Sequence, residues 1–132
     1  MFLLLIALVS AIKPETKEDS CYMLSSHLVR TITDEIRDYV YANPYLKETE
    51  VRIKSIEESF WHCMDKMTDK EALEISKNSR KEYSKYMHLF KVDLQKFKSI
   101  EDVRLSKEFI EKRSQISKRI SFMNKPSRGG EL

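Results

Sequence analysis

LKETEVRIKSIEESFWHCMDKM, residues 46–67, places apolar or weakly polar side chains at alternating steps of three and four residues. Because an α-helix turns once in about 3.6 residues, this spacing puts all of them on one helical face. The face consists of Leu46, Thr49, Ile53, Ile56, Phe60, Cys63 and Met67. The stretch therefore predicts an amphipathic helix that buries one side against the rest of the protein.

A helix of nearly equal length is predicted on the N-terminal side of this stretch. Its apolar positions follow a similar spacing and are Cys21, Leu24, Leu28, Val29, Ile32, Ile36, Tyr39 and Val40. The pattern stops at Asn43-Pro44, since a proline disfavours helical geometry in the residue before it. Two helices joined by so short a turn predict an antiparallel hairpin.

The two cysteines, Cys21 and Cys63, lie on the apolar faces of this hairpin. Their midpoint in sequence is residue 42, beside the turn, and residues equidistant from such a turn face each other. We therefore expect a disulfide, which would stabilise the fold by roughly 3–4 kcal/mol by restricting the unfolded chain. The alternative is a reactive Cys63 thiol, which needs a nearby base, whereas His62 points about 100° away around the helix.

The second half of the chain predicts two more helices. Thr68-Asp69 is typical of a helix start, and Ser99 is expected to cap a further helix. The apolar face of the third helix comprises Leu73, Tyr83, Met87, Phe90, Leu94 and Phe97, and that of the fourth comprises Val103, Leu105, Phe109, Ile116, Ile120 and Met123. One continuous helix over residues 69–123 is the alternative, but its length of about 80 Å would leave the apolar stripe unburied.

Helix breakers are rare in this sequence. Pro44 is the only proline between residues 19 and 123, and both glycines, Gly129 and Gly130, lie near the C-terminus. This distribution indicates an all-α protein. We predict an up-down-up-down four-helix bundle, with one disulfide linking helices 1 and 2.

The N-terminal residues 2–12, FLLLIALVSAI, form an apolar run in which Ser10 is the only polar residue. The small side chains of Val9 and Ala11 predict signal-peptide cleavage after Ala11, and the run is shorter than the roughly 20 residues of a membrane span. An uncleaved anchor is the alternative. We expect a signal peptide at 1–11, a helical bundle domain at 12–124 and a flexible C-terminal tail at 125–132. The protein is predicted to be secreted; retention in the endoplasmic reticulum lumen is less favoured, because only the final Glu-Leu resembles a retention signal.

The sequence contains no arrangement typical of catalysis. The histidines, His27, His62 and His88, fall on three different predicted helices, and no Cys-x2-Cys or His-x3-His spacing is present. The paired acids Glu57-Glu58 are expected to be solvated charges on a polar helix face. We therefore predict a non-enzymatic protein with no metal and no cofactor.

Four residues are candidates for contacting a partner. Trp61 lies one step beyond the core face of its helix, so its indole is expected to be partly exposed beside His62. Large aromatic side chains at a surface favour a binding role. Tyr41 and Tyr45 flank the Asn43-Pro44 turn and are candidates for the same reason. The alternative is that Trp61 is a rim residue packed against a neighbouring helix.

Charge is distributed unevenly along the chain. Residues 1–76 contain 9 Lys or Arg and 14 Asp or Glu, whereas residues 77–132 contain 15 and 7. The basic residues expected on the outer face of the second hairpin include Arg80, Lys81, Lys85, Lys112, Arg113, Lys118 and Arg119. They predict contact with an anionic surface such as phospholipid headgroups or a sulfated glycan. The alternative is intramolecular, since oppositely charged hairpins attract each other.

The sequence thus predicts a secreted, non-enzymatic interaction protein that binds a protein or an anionic surface. One alternative is a carrier of lipid or another small apolar ligand, suggested by long amphipathic helices rich in soft methionines. Another is a peptide precursor cleaved at the dibasic pairs Lys112-Arg113 and Lys118-Arg119. Nucleic acid is disfavoured as the partner of a secreted chain, and no transmembrane segment is expected after signal removal.

Overall fold

The structure, a computed structural model, describes residues 16–78, 83–86, 90 and 92–131, and for 75–78, 83–84 and 120–131 it describes the backbone alone. The described residues are mostly helical and include no strand, which confirms the predicted all-α class. The α-helices are α1 (Lys17–Thr31), α2 (Thr33–Ala42), α3 (Glu48–Lys66), α4 (Asp69–Asn78), α5 (Tyr83–Tyr86) and α6 (Lys107–Glu131), and 3₁₀-helices span Leu94–Lys96 and Ile100–Val103.

The predicted signal peptide, residues 1–11, lies outside the described residues, and the predicted domain and tail boundaries stay predictions. Within the described part of the chain, none of the helices combines the length and the apolar character needed to cross a membrane.

The predicted first helix is interrupted at Ile32, so that it forms α1 and α2. The Thr31 hydroxyl donates to the Leu28 carbonyl at 2.6 Å. The Thr33 hydroxyl donates to the Arg30 carbonyl at 2.8 Å. Three consecutive β-branched residues are stiff, and such side-chain bonds compete with the helical backbone. The prediction of one continuous helix is therefore wrong at this position.

α1 packs against α3 along a line of small residues. Cys21 in α1 and Cys63 in α3 form a disulfide with Cα atoms 5.6 Å apart, which confirms the predicted pairing. Ser25 follows Cys21 by four residues, Ser59 precedes Cys63 by four, and both serines are buried. Since residues four apart share a helix face, the antiparallel register places the serines opposite each other. We call Cys21, Ser25, Ser59 and Cys63 the α1–α3 seam.

The buried faces of α3 and α4 differ in part from the predicted ones. Val51 and Ser55 are fully buried, whereas Thr49, predicted to lie on the core face, is exposed. Positions 51 and 55 continue the four-residue spacing of the α1–α3 seam, so α3 buries its side toward α1 as well. In α4, Ala72 is buried and Leu73, also predicted to be a core residue, is 55% exposed.

The buried side chains form two clusters. The first surrounds the disulfide and consists of Cys21, Leu24, Phe60, Cys63, Met67, Ala72, Tyr86, Phe90, Phe109 and Ile116. The second includes the α2–α3 turn and consists of Val29, Ile36, Leu46, Val51, Phe97 and Val103. Phe97 and Phe109 are among the largest fully buried side chains, so the C-terminal half completes both clusters.

The segment 92–106, directly before α6, does not form the α-helices that the sequence predicts. A helix through Phe97 and another α-helix from Ser99 are expected, but 3₁₀-helices joined by non-helical residues occupy this segment. The Asp102 carboxylate accepts hydrogen bonds from the Lys98 amide at 2.8 Å and the Ser99 amide at 2.9 Å. A continuous helix would use these amides in its own backbone bonds, so Ser99 starts only the short helix Ile100–Val103.

We expect the α1–α3 seam to tolerate a small side chain at position 59 and to reject a large one. Ser59→Ala removes a hydroxyl with no hydrogen-bond partner among the described residues, so the free energy of unfolding should change by less than about 1 kcal/mol. Ser59→Leu should lower it by about 1–3 kcal/mol, because the larger side chain separates two helices that the disulfide holds together. Urea unfolding followed by far-ultraviolet circular dichroism measures both effects. If Ser59→Leu is as stable as the wild type, α1 and α3 are not closely packed here.

Candidate functional site

Glu57 is a buried acid, whereas the sequence places it on a polar, solvated face of its helix. Its side chain is almost completely enclosed, with the residue 3% exposed. Ser106, just before α6, covers it: the Ser106 hydroxyl donates to Oε2 at 2.8 Å and the Ser106 amide to Oε1 at 3.4 Å. The prediction is wrong for Glu57 because it considers α3 alone, and the covering residue comes from a distant part of the chain.

The Glu57 carboxylate is the centre of a network formed by Lys54, Glu57, Trp61 and Ser106. Lys54 Nζ donates to Oε1 of Glu57 at 3.0 Å. The indole Nε1 of Trp61 donates to Oε2 at 3.1 Å. The Ser106 hydroxyl also accepts a hydrogen bond from the Phe109 amide at 3.1 Å and thereby caps α6. We call these four residues the Glu57 network.

Two opposing effects determine the ionisation of Glu57. Burial raises the pKa of the carboxyl. The hydrogen bonds from Ser106, Lys54 and Trp61 outweigh burial and hold this pKa below its usual range. The network is therefore an ion pair with additional hydrogen bonds, and it stays charged at neutral pH.

Trp61 is held firmly between the interior and the surface. Its ring lies edge to face with Phe60 at a centroid distance of 5.0 Å and with Phe109 at 6.4 Å. The indole is half-buried and packs against the first cluster. Much of the side chain therefore agrees with the alternative interpretation, in which Trp61 is a rim residue packed against a neighbouring part of the fold. Its remaining surface lies in a cleft.

This cleft has a volume of about 420 Å³, and we call it the Trp61 cleft. The described residues that form its walls are Glu58, Trp61, His62, Asp65, Asp93 and Lys96. The first four share a face of α3, because their spacing returns to one side of a helix. The structure thus places Trp61 and His62 side by side and adds four charged residues that sequence reasoning missed. The spacing 58, 61, 62 and 65 is the signal that could have indicated the α3 wall.

The opposite wall of the Trp61 cleft is fixed at both ends. Oδ1 of Asp93 accepts a hydrogen bond from the amide two residues later at 3.1 Å, which caps the 3₁₀-helix Leu94–Lys96. Phe97, directly after this helix, is buried, and its carbonyl accepts a hydrogen bond from the Tyr39 hydroxyl at 2.8 Å. The cleft is therefore formed by two anchored segments.

Tyr41 and Tyr45 lie near the α2–α3 turn and are not part of the Trp61 cleft. Tyr41 is 91% exposed and Tyr45 is 50% exposed. The Tyr45 hydroxyl donates to the Asn43 side chain at 3.1 Å. The four candidate partner-binding residues therefore divide between two places on the molecule.

Two of the basic residues predicted to bind an anionic surface instead pair with the start of α1. Lys112 Nζ lies 2.8 Å from Oε1 of Glu18, and a guanidinium nitrogen of Arg119 lies 2.5 Å from Oδ1 of Asp19. The hydrogen bond to Glu18 raises the pKa of Lys112. These contacts agree with the intramolecular alternative, in which acidic and basic segments attract each other.

The other basic residues of that predicted surface differ in exposure. Arg113 is half-buried, and Lys85 and Lys118 are exposed. Arg80 and Lys81 lie outside the described residues. A single basic face formed by the whole set therefore stays a prediction, and the pairing of Lys112 and Arg119 counts against it.

The fold and the site define an all-α protein with a disulfide and a charged, aromatic cleft. In the described part of the chain, no group of three or more His, Cys, Asp or Glu side chains is arranged to hold a metal ion. Comparison of the chain with protein-family models, curated proteins and solved structures found no match.

We expect the Glu57 network to stabilise the fold only while its carboxyl is ionised. Because the folded-state pKa is lowered, the charge adds stability above the unfolded-state pKa, and this contribution is lost as the pH falls through the folded-state pKa. Glu57→Gln should lower the free energy of unfolding by about 2 kcal/mol at neutral pH, because an amide nitrogen then faces hydrogen-bond donors. The difference from the wild type should shrink as the pH falls below about 4.

Urea unfolding of Glu57→Gln and the wild type at several pH values measures this difference. Glu50→Gln is the matched control, because Glu50 lies on the same helix and is exposed. The control should unfold like the wild type at each pH. A loss of stability in Glu57→Gln that is the same at neutral and acidic pH would contradict an ionised Glu57.

Proposed function

We propose that this is a secreted, non-enzymatic binding protein whose partner contacts the Trp61 cleft. The supporting observation is the indole of Trp61, which the Glu57 network and two phenylalanine rings hold in place while part of it lines the cleft. An aromatic side chain that is already ordered loses little entropy on binding. Such residues often contribute most of the binding free energy of an interface.

The proposed secretion is supported by two separate features of the chain. The apolar run over residues 2–12 has the composition of a signal peptide. The Cys21–Cys63 disulfide is buried in the first cluster, and disulfides persist chiefly in oxidising compartments. A cleaved, oxidised chain is the form of the protein that we propose to be active.

For the helices we propose an up-down-up-down arrangement, with α1 and α2 together forming the first helix of the bundle. The disulfide between α1 and α3 supports it, as does the Lys112–Glu18 ion pair between α6 and α1. The short turn between α2 and α3 supports antiparallel neighbours.

The alternative functions have less support from the described residues. An anionic surface would have to compete with Glu18 and Asp19 for Lys112 and Arg119. Cleavage at Lys112-Arg113 or Lys118-Arg119 would require α6 to unfold locally, since both pairs lie within it. A lipid carrier needs an apolar site, whereas four of the six described residues that line the Trp61 cleft are acids or a lysine.

A capture experiment with paired variants tests the proposed function. The oxidised wild-type protein serves as bait in the fluid into which it is secreted, beside His62→Ala/Asp65→Ala, which changes two residues of the Trp61 cleft. We expect one protein to be retained by the wild type and to bind the cleft variant at least about tenfold more weakly. Surface plasmon resonance with the purified partner measures this ratio. Trp61 itself is unsuitable for the first test, because its indole also packs in the interior.

The matched control is Glu35→Ala/Asp38→Ala, which changes two exposed residues of α2. It should bind the partner as the wild type does. Equal binding of the partner by the cleft variant and the wild type would overturn the proposal. Sedimentation of the wild type with anionic vesicles, or recovery of fragments ending at the basic pairs, would favour the alternatives.

A further inference from the structure

We propose that the Trp61 cleft binds an organic cation, an ammonium or guanidinium group, between the indole and the acidic side chains around it. This inference rests on the proposed function, because both assume that the Trp61 cleft is the binding surface. It goes further by assigning the chemistry of the group that enters it.

The charges of the cleft favour a cation. Among the residues that the structure describes, its walls carry three carboxylates, those of Glu58, Asp65 and Asp93, and one ammonium group, that of Lys96. Lys96 Nζ lies 3.9 Å from Glu58, so it balances one of the three acids. Although the whole chain has a formal net charge of +3, the described lining of this cleft carries an excess of negative charge. The potential there attracts positively charged ligands.

Asp65 and Asp93 are the acids of the cleft that have no balancing base among its described lining residues. Asp65 is highly exposed, and its ion pair with Lys66 is long, at 3.9 Å, and lies at the surface, where such pairs are weak. Asp93 accepts one backbone hydrogen bond through Oδ1. An ionised carboxylate has about four acceptor positions, so Asp93 retains capacity for a ligand. The two acids therefore provide the charge of the proposed cation site.

The indole of Trp61 provides the other half of the site. Its Nε1 donates to the buried Glu57, so the ring is oriented by a contact on its interior side. The partly exposed ring lines the cleft together with the acids. A cation against the face of tryptophan is attracted by about 0.5–2 kcal/mol, depending on how far it is desolvated. Aromatic and acidic groups together thus favour a cation over a neutral ligand.

A neighbouring depression locates the cation more closely. It shares Asp93 and Lys96 with the Trp61 cleft, and its other walls are Gln95, Lys98 and Asp102. Its two lysines balance its two aspartates, and the Asp102 carboxylate already accepts bonds from two backbone amides. The excess of negative charge lies on the Trp61 side, so we place the cation there.

Trp61 is the only tryptophan of the chain, so its fluorescence reports directly on the cleft. The probes are 2-phenylethylamine, a cation at neutral pH, and 2-phenylethanol, its neutral counterpart. A second pair of probes is the blocked peptide Gly-Arg-Gly and its neutral counterpart Gly-Gln-Gly. We expect a saturable fluorescence change with at least one cation, at least tenfold weaker binding of its neutral counterpart, and weaker cation binding at high salt. Isothermal titration calorimetry provides an independent dissociation constant.

The variant Asp65→Asn/Asp93→Asn removes the two charges and keeps an oxygen that can cap the 3₁₀-helix. It should bind the cation about tenfold more weakly than the wild type. Glu35→Gln/Asp38→Asn removes the same charge from an exposed part of α2 and should bind as the wild type does. Circular dichroism and urea unfolding verify that each variant is folded.

Free amines and the basic side chains of proteins both present such a cation, and the two pairs of probes separate these sources. Saturable binding of the amine assigns the site to small organic cations, and binding of the arginine peptide alone assigns it to a basic side chain. Binding of neither cation, or equal binding of the neutral counterparts, would overturn the inference. If capture of a partner still depends on His62 and Asp65 in that case, the proposed function stands and only the cation assignment fails.

Discussion

The hydrogen bonds of the buried Glu57 carboxylate are the interactions that connect α3 to the start of α6. Removing an ionised carboxylate from water costs several kcal/mol unless hydrogen bonds replace the lost hydration. Lys54 and Trp61 supply such bonds from the same helix, and Ser106 supplies them from the start of α6. Because Ser106 also caps α6, the position where this helix begins is tied to a charge on α3. The same carboxylate orients the indole that lines the Trp61 cleft.

The sequence could predict those features of the fold that depend on neighbouring residues or on a regular apolar spacing. The apolar spacing of residues 46–67 and the Asn43-Pro44 turn together indicated the hairpin, and its symmetry about residue 42 indicated the Cys21–Cys63 pair. The start of α4 was predicted from Thr68, whose hydroxyl accepts a hydrogen bond from the Glu71 amide at 3.1 Å. Each of these inferences needs only neighbouring residues or the register of one hairpin.

Features created by distant segments could not be predicted in this way. The burial of Glu57 requires Ser106, and the path of the chain through Phe97 follows from a hydrogen bond to Tyr39 and from burial in the second cluster. The periodicity of a sequence separates the polar face of a helix from its apolar face, and Glu57 belongs to the polar face. The pattern therefore predicted that Glu57 is exposed to solvent. Of the described residues that line the Trp61 cleft, the sequence pointed only to Trp61 and His62 as candidate contacts. The residues of its α3 wall share one helical face, which a sequence pattern can indicate. Asp93 and Lys96 are brought to the cleft by tertiary packing, which such a pattern does not indicate.

The uneven distribution of charge along the chain has a structural explanation. Part of the basic charge of α6 is balanced internally, because Lys112 and Arg119 pair with acids of α1. An ion pair already formed has to be broken, or shared, before either side chain can bind an external anion. The Trp61 cleft differs, since it carries more acids than bases next to an ordered indole. Among the described residues the acidic charge of this cleft exceeds the basic charge, which is why we propose a cationic ligand in preference to an anionic surface.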